Sequence, residues 1–143
     1  MSDEPVAVEE AIARIDAAQL RVETAARALS DDEFAVAGGA TLRTYAGETQ
    51  SVAQQILYVA LSGALPTDGQ AVAIPDGRDE VLATVRDGLD SLYVHVREAD
   101  PDEFLDCTWR HPGLGEMNWR QWLVSLADDA DQCADRLEAL RHA

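Results

Sequence analysis

Apolar residues recur in this chain at alternating steps of four and three, in four separate stretches. That step averages the 3.6-residue turn of an α-helix, so each stretch presents one apolar face. The first runs from about Pro5 to Leu29, with Val8, Ile12, Ile15, Val22, Ala26 and Leu29 on its seam and Gln19 as the odd polar member. The second runs from Ser51 to about Ala64, through Val52, Ile56, Val59 and Gly63. The third spans about Gly77 to Ala99, through Leu82, Val85, Leu89, Leu92 and Val96. The fourth spans Asn118 to about Arg141, through Trp119, Leu123, Leu126, Ala130, Cys133, Leu137 and Leu140. Four one-sided helices must bury those faces against one another, which predicts an all-α domain, an antiparallel four-helix bundle over residues 1–143.

Start signals support these limits. Ser51 is followed three residues later by Gln54, and Asn118 by Gln121. Both are capping-box patterns, in which the two side chains satisfy orphan backbone donors. Pro75-Asp76-Gly77 punctuates the start of the third helix. The run Leu29 to Phe34 is echoed by Ala99 to Phe104, and Gly47-Glu48…Ser51 by Gly115-Glu116…Asn118, at an offset of about 67 to 70 residues. Each half thus reads as helix, acidic turn, loop, capped helix. The two loops, Ala35–Gln50 and Leu105–Met117, are long, and long loops in compact domains are commonly functional. A pseudo-twofold between the halves would put both at one end of the bundle and make that end the place for a pocket.

Charge narrows the setting. There are 27 Asp and Glu against 11 basic residues, a formal charge of −16, and every basic residue is Arg. Such a surface repels itself when unscreened. In molar salt the screening length falls to about 3 Å and the repulsion fades. The composition therefore points to a halophilic, high-salt setting. Direct nucleic-acid binding is disfavoured, because no basic stripe exists to displace phosphate counterions. The acidic start lacks the basic and apolar regions of a signal peptide, and no stretch approaches the ~20 apolar residues of a membrane span. Two cysteines, Cys107 and Cys133, make no disulfide framework, so a cytoplasmic location is expected.

The run His111-Pro112-Gly113-Leu114-Gly115-Glu116-Met117-Asn118-Trp119 resembles the lead-in to the last helix of the DinB-like superfamily. The acidic turn Ala99–Phe104 before it, and Leu29–Phe34 with Ser51-Val52 in the first half, are similar to the same family. The resemblance implies a four-helix bundle holding a divalent metal on three His side chains. One would come from the second helix, and two, spaced by four, from the last. Members include thiol S-transferases and a mycothiol-dependent isomerase. In this chain the three positions fall on Tyr58, Asp129 and Cys133, and none is His. The resemblance therefore implies a divergent member with a degenerate metal site. It would act as a small-molecule or protein binding module, with no cofactor. The alternative is a zinc-dependent thiol S-transferase or hydrolase with Asp129, Cys133 and Tyr58 as a mixed ligand set. A third reading is self-association as a homodimer.

Individual residues carry two readings each. Cys133 is a small buried hydrophobe on its seam, or a ligand one turn from Asp129. Asp129 is a half-solvated carboxylate, or a buried partner of Arg136, with Gln19 nearby. Tyr58 points inward to Asp129, or lies on the surface near Gln54 and Gln55. Trp109 and Trp122 cap the bundle end or wall a pocket, with Trp119 on the seam. His95 and His111 read as structural, the latter shaping the loop before Pro112, and His142 as part of a loose terminus. Cys107, beside Asp106, is not expected to be a nucleophile.

Overall fold

The computed structural model describes residues 8–66, 73–100 and 102–141. The expected helix start at Pro5, the acidic-turn residue Pro101 and the terminal His142 lie outside them. Among the described residues the chain is all-α apart from one small hairpin, and no helix is long and apolar enough to cross a membrane.

Helix α1 (Val8–Ala28) buries the expected seam, Gln19 included. Ser30 then caps a new helical start. Its hydroxyl accepts from the Glu33 N–H at 3.1 Å, while the Glu33 carboxylate accepts from the Ser30 N–H at 2.7 Å. A short α2 (Asp31–Glu33) passes through one π-helical turn, Phe34–Gly38, into α3 (Gly39–Ser62). The expected loop Ala35–Gln50 is thus helical, and Ser51 sits exposed within α3 instead of capping it. Gly38 is there for space: a Cβ on it would lie 2.6 Å from Leu29 Cδ1. Gly63 ends α3 in the left-handed conformation, φ +74°, which costs glycine nothing.

Helix α4 (Arg78–Glu98) buries Val81, Leu82, Val85, Leu89, Leu92 and Val96. The second expected loop contains an antiparallel hairpin, β1 (Trp109–His111) and β2 (Gly115–Met117), with Trp109 opposite Met117. His111 Nδ1 accepts from the Gly113 and Leu114 N–H groups at 3.0 and 3.1 Å, which is the loop-shaping role expected of it. Helix α5 (Trp119–Leu140) opens on the expected capping box of Asn118 and Gln121.

The four long helices pack in sequence around one core: α1 along α5, α5 on α3, α3 on α4, and α4 back on α1. Trp119, Ile15, Leu42, Ile56, Leu89 and Leu123 are fully buried within it. Burial of each aliphatic chain contributes about 1.5–3 kcal/mol.

Side-chain bridges fix the directions. Arg78 at the start of α4 donates to the Leu29 carbonyl past the end of α1 (2.9 Å), and Arg97 near the end of α4 pairs with Glu9 at the start of α1 (2.7 Å). These two helices are antiparallel. Arg43 pairs with Asp76 (2.7 Å), and Gln50, further along α3, donates to the Thr84 carbonyl (2.8 Å), further along α4. So α3 and α4 run the same way. Gln55, late in α3, accepts from Trp109, whose ring stacks on Trp122 at the start of α5, so α3 and α5 are antiparallel. It follows that α1 and α5 run together. The antiparallel expectation is therefore corrected at two of the four contacts. The physical reason is reach. Residues 63–77 can extend about 50 Å at ~3.3 Å each, more than the length of α3, about 36 Å at 1.5 Å per residue. The chain can therefore return to the end where α3 began. A second correction follows: the connection before α3 lies beside Leu140, and that after α4 lies beside Val8, so the two loop regions occupy opposite ends.

Candidate functional site

Helix α5 carries Asp129, Cys133 and Arg136 at steps of four and three, which puts them on one face. Helix α3 answers with Thr41, Tyr45 and Glu48 at the same steps. Because the two helices are antiparallel, Glu48 meets the Asp129 end and Thr41 the Arg136 end. Between them lies a hollow of about 130 Å³, with Thr44 and Gln132 completing its wall. Cys133 and Tyr45 are buried at its floor, and Glu48 and Arg136 are exposed at its rim. Asp129 is half-buried between floor and rim. A wider open trough of about 390 Å³ shares Asp129 and Gln132 with it, and is bounded by His111 and Leu114 of the hairpin region.

The electrostatics follow from this geometry. Burial raises the Asp129 carboxyl above its ordinary value. The nearby His111 opposes that, and Glu48 and Asp128 add to it. Burial also pushes the Cys133 thiol up to about 12, against the pull of Arg136. A thiol so placed is protonated at neutral pH and is a poor nucleophile. Among the described residues no ion pair joins Asp129, Glu48 or Arg136 to any partner, although most other arginines are paired. The buried Asp129–Arg136 pair is therefore absent, and the half-solvated reading of Asp129 holds.

Behind the hollow runs a polar chain through the bundle. The Tyr45 hydroxyl donates to Gln19 Oε1 at 2.5 Å, and Gln19 Nε2 donates to Glu23 at 3.2 Å. Arg86 of α4 closes on Glu23 at 3.0 Å and also pairs with Asp16. Gln19, the odd member of the α1 seam, is thus satisfied by Tyr45, and it holds that phenol at the floor of the hollow. Burial raises the Tyr45 hydroxyl well above its ordinary range, so it stays protonated and donates.

Tyr58 is not part of this arrangement. It lies more than three turns beyond Tyr45 on α3 and is 53% exposed, which corrects its placement as an inward ligand. Asp129 and Cys133 do meet at one site, but among the described residues no group of three or more His, Cys, Asp and Glu side chains comes close enough to hold an ion. The donor set does not fit a three-ligand zinc centre. The residue that faces Asp129 and Cys133 from α3 is Tyr45, which sequence reasoning missed because it placed residues 35–50 in a loop. The signal was there: Leu42, Tyr45, Ala46 and Thr49 carry the helical period of Ala53 and Ile56 upstream of Ser51, and all are buried.

The tryptophans pack. Trp109 and Trp122 stack at 5.1 Å with planes 8° apart, and the Trp122 indole N–H donates to the Trp109 carbonyl at 3.2 Å. Trp119 is buried and donates to the Glu103 carbonyl at 2.9 Å. The Trp109–Trp122 stack thereby ties the hairpin to the start of α5.

No family model matches this chain, and no curated protein or solved structure matches it either.

Proposed function

We propose that the chain is a divergent DinB-like four-helix bundle that binds a small polar molecule in the α3–α5 hollow, which contains two of the three positions where the resemblance would put a metal, Asp129 and Cys133. The ring of four packed helices supports the bundle, and the kinship rests on the resemblance of the His111–Trp119 run. The acidic, lysine-free composition fits a high-salt setting. One observation carries the binding reading: among the described residues a half-buried carboxylate, Asp129, stands without an ion-pair partner, in a hollow walled by hydroxyl, amide and thiol groups. Desolvating a carboxylate without a partner is unfavourable, and such uncompensated groups concentrate at functional sites.

The test is backbone-amide NMR of chelator-treated protein titrated with a panel of small ammonium, carboxylate and zwitterionic compounds. Saturable shifts confined to residues 41–48 and 129–136 are expected with at least one of them. Shifts confined to other regions, or none with any compound, would overturn the reading. So would stoichiometric zinc in protein purified without chelator and lost on Cys133→Ala, which would favour the metalloenzyme instead.

A further inference from the structure

The hollow has a polarity. At one end Glu48 and Asp129 bring two carboxylates together across the α3–α5 seam, near enough that Glu48 raises both Asp129 and Cys133. At the other end stands a guanidinium, Arg136, with the Thr41 and Thr44 hydroxyls opposite. The buried Tyr45 and Cys133 lie between, offering only neutral groups. Arg136 acts on Cys133, one turn before it, and stands seven residues along α5 from Asp129. Seven helical residues span about 10 Å, which separates the two ends. A space of this size holds a molecule of several non-hydrogen atoms and no more.

A bare cation placed there would satisfy the carboxylates but face Arg136. A bare anion would satisfy Arg136 but face two carboxylates. A molecule carrying both charges a few bonds apart satisfies all three groups. Resting on the binding reading above, we propose that the hollow takes a small unbranched amino acid as its zwitterion, with the ammonium between Glu48 and Asp129 and the carboxylate on Arg136. The trough beside Asp129, open to solvent and edged by acidic residues, is the approach for the ammonium end.

The experiment compares three probes of equal chain length by calorimetry and backbone-amide NMR: γ-aminobutyrate, butylamine and butyrate. The zwitterion should bind in the hollow, with each half-molecule at least tenfold weaker. Arg136→Gln should bring γ-aminobutyrate down to the affinity of butylamine, and Glu48→Gln should weaken both of them. Glu48 and Arg136 are exposed, so these variants leave the core intact. Butylamine binding as tightly as γ-aminobutyrate, or Arg136→Gln leaving the zwitterion's affinity unchanged, would overturn the proposal while leaving a binding hollow in place. Failure of all three probes, with another panel compound shifting residues 41–48 and 129–136, would also overturn it and spare the broader reading.

Discussion

Asp129 is held in a conflict that pH should resolve. Its carboxyl titrates above its unfolded value because burial disfavours the charge. The sign follows from linkage. A raised folded value means the fold favours the protonated form, so that contribution is fully present in acid and is lost as pH rises through the folded value. At neutral pH the ionised group therefore weakens the fold. Asp129→Asn should raise the melting temperature at pH 7 and give no gain near pH 3, as thermal melts across that range will read. An equal gain at both ends would mean that the amide packs better and that charge is not the cause. The same substitution should abolish ligand binding, a trade of function for stability that is common at binding sites. Cys133, one turn along, should behave as core. With its thiol pushed up to about 12, it should not react with a disulfide reagent in native protein at pH 8. Cys107 is half-buried, so whatever slow reaction the native protein shows should belong to it and vanish in Cys107→Ala. A second thiol titrating without denaturant would place Cys133 within reach of solvent.

Helix α3 is where reading the sequence and reading the structure part company, and two serines can separate them. Ser30 closes a reciprocal cap with Glu33, whereas Ser51 is an exposed position inside a helix. Ser30→Ala should cost about 1 kcal/mol in denaturant unfolding, and Ser51→Ala less than about 0.5 kcal/mol. The reverse order would restore the loop that the sequence suggested. The faces of α1, α4 and α5 were legible because their seams are long, broken only by Gln19 in α1, and the Asn118 cap of α5 was legible because its box stands directly before the apolar seam. The start of α3 was not. Gly38, Gly39 and Gly47, with several Thr residues, look locally like a loop, and what keeps them helical is tertiary. Gly38 lets the turn close on Leu29, and Leu42, Tyr45 and Ala46 fill the core. Misplacing those residues hid half of the site. The sequence brought Asp129 and Cys133 together, since i, i+4 spacing on one helix is local information. The partners facing them depend on how α3 pairs with α5, which no local pattern encodes. Relative direction was illegible for the same reason: the connection from 63 to 77 permits either sense, and only contacts such as Arg43–Asp76 choose between them.

At the scale of the whole molecule the dominant fact is 27 acidic groups against 11 arginines. Most of those arginines bridge helices or clamp a turn. Arg21 alone gathers Asp131, Asp135 and Glu138. Such exposed pairs are each worth at most about 1 kcal/mol and weaken as salt rises. The repulsion among the surplus acids weakens too, and with so many more like-charge than opposite-charge neighbours it is the larger of the two losses. Salt should therefore stabilise the fold on balance. Screening tightens from about 10 Å at 0.1 M to about 3 Å at 1 M, so most of the electrostatic gain should come within that interval. The melting temperature should climb steeply with potassium chloride up to about 1 M and more gently beyond it, where only the weaker effects of salt on apolar burial remain. A charge-reduced variant separates the two effects. Asp87, Glu98 and Asp128 are exposed and outside the ion pairs described. Replacing them with their amides should raise the melting temperature in low salt and shrink the climb, with little change above 1 M. A wild-type curve that is flat, or that the triple variant leaves unaltered in slope, would show that self-repulsion is not what the surface is built to manage, and the high-salt setting would lose its physical support.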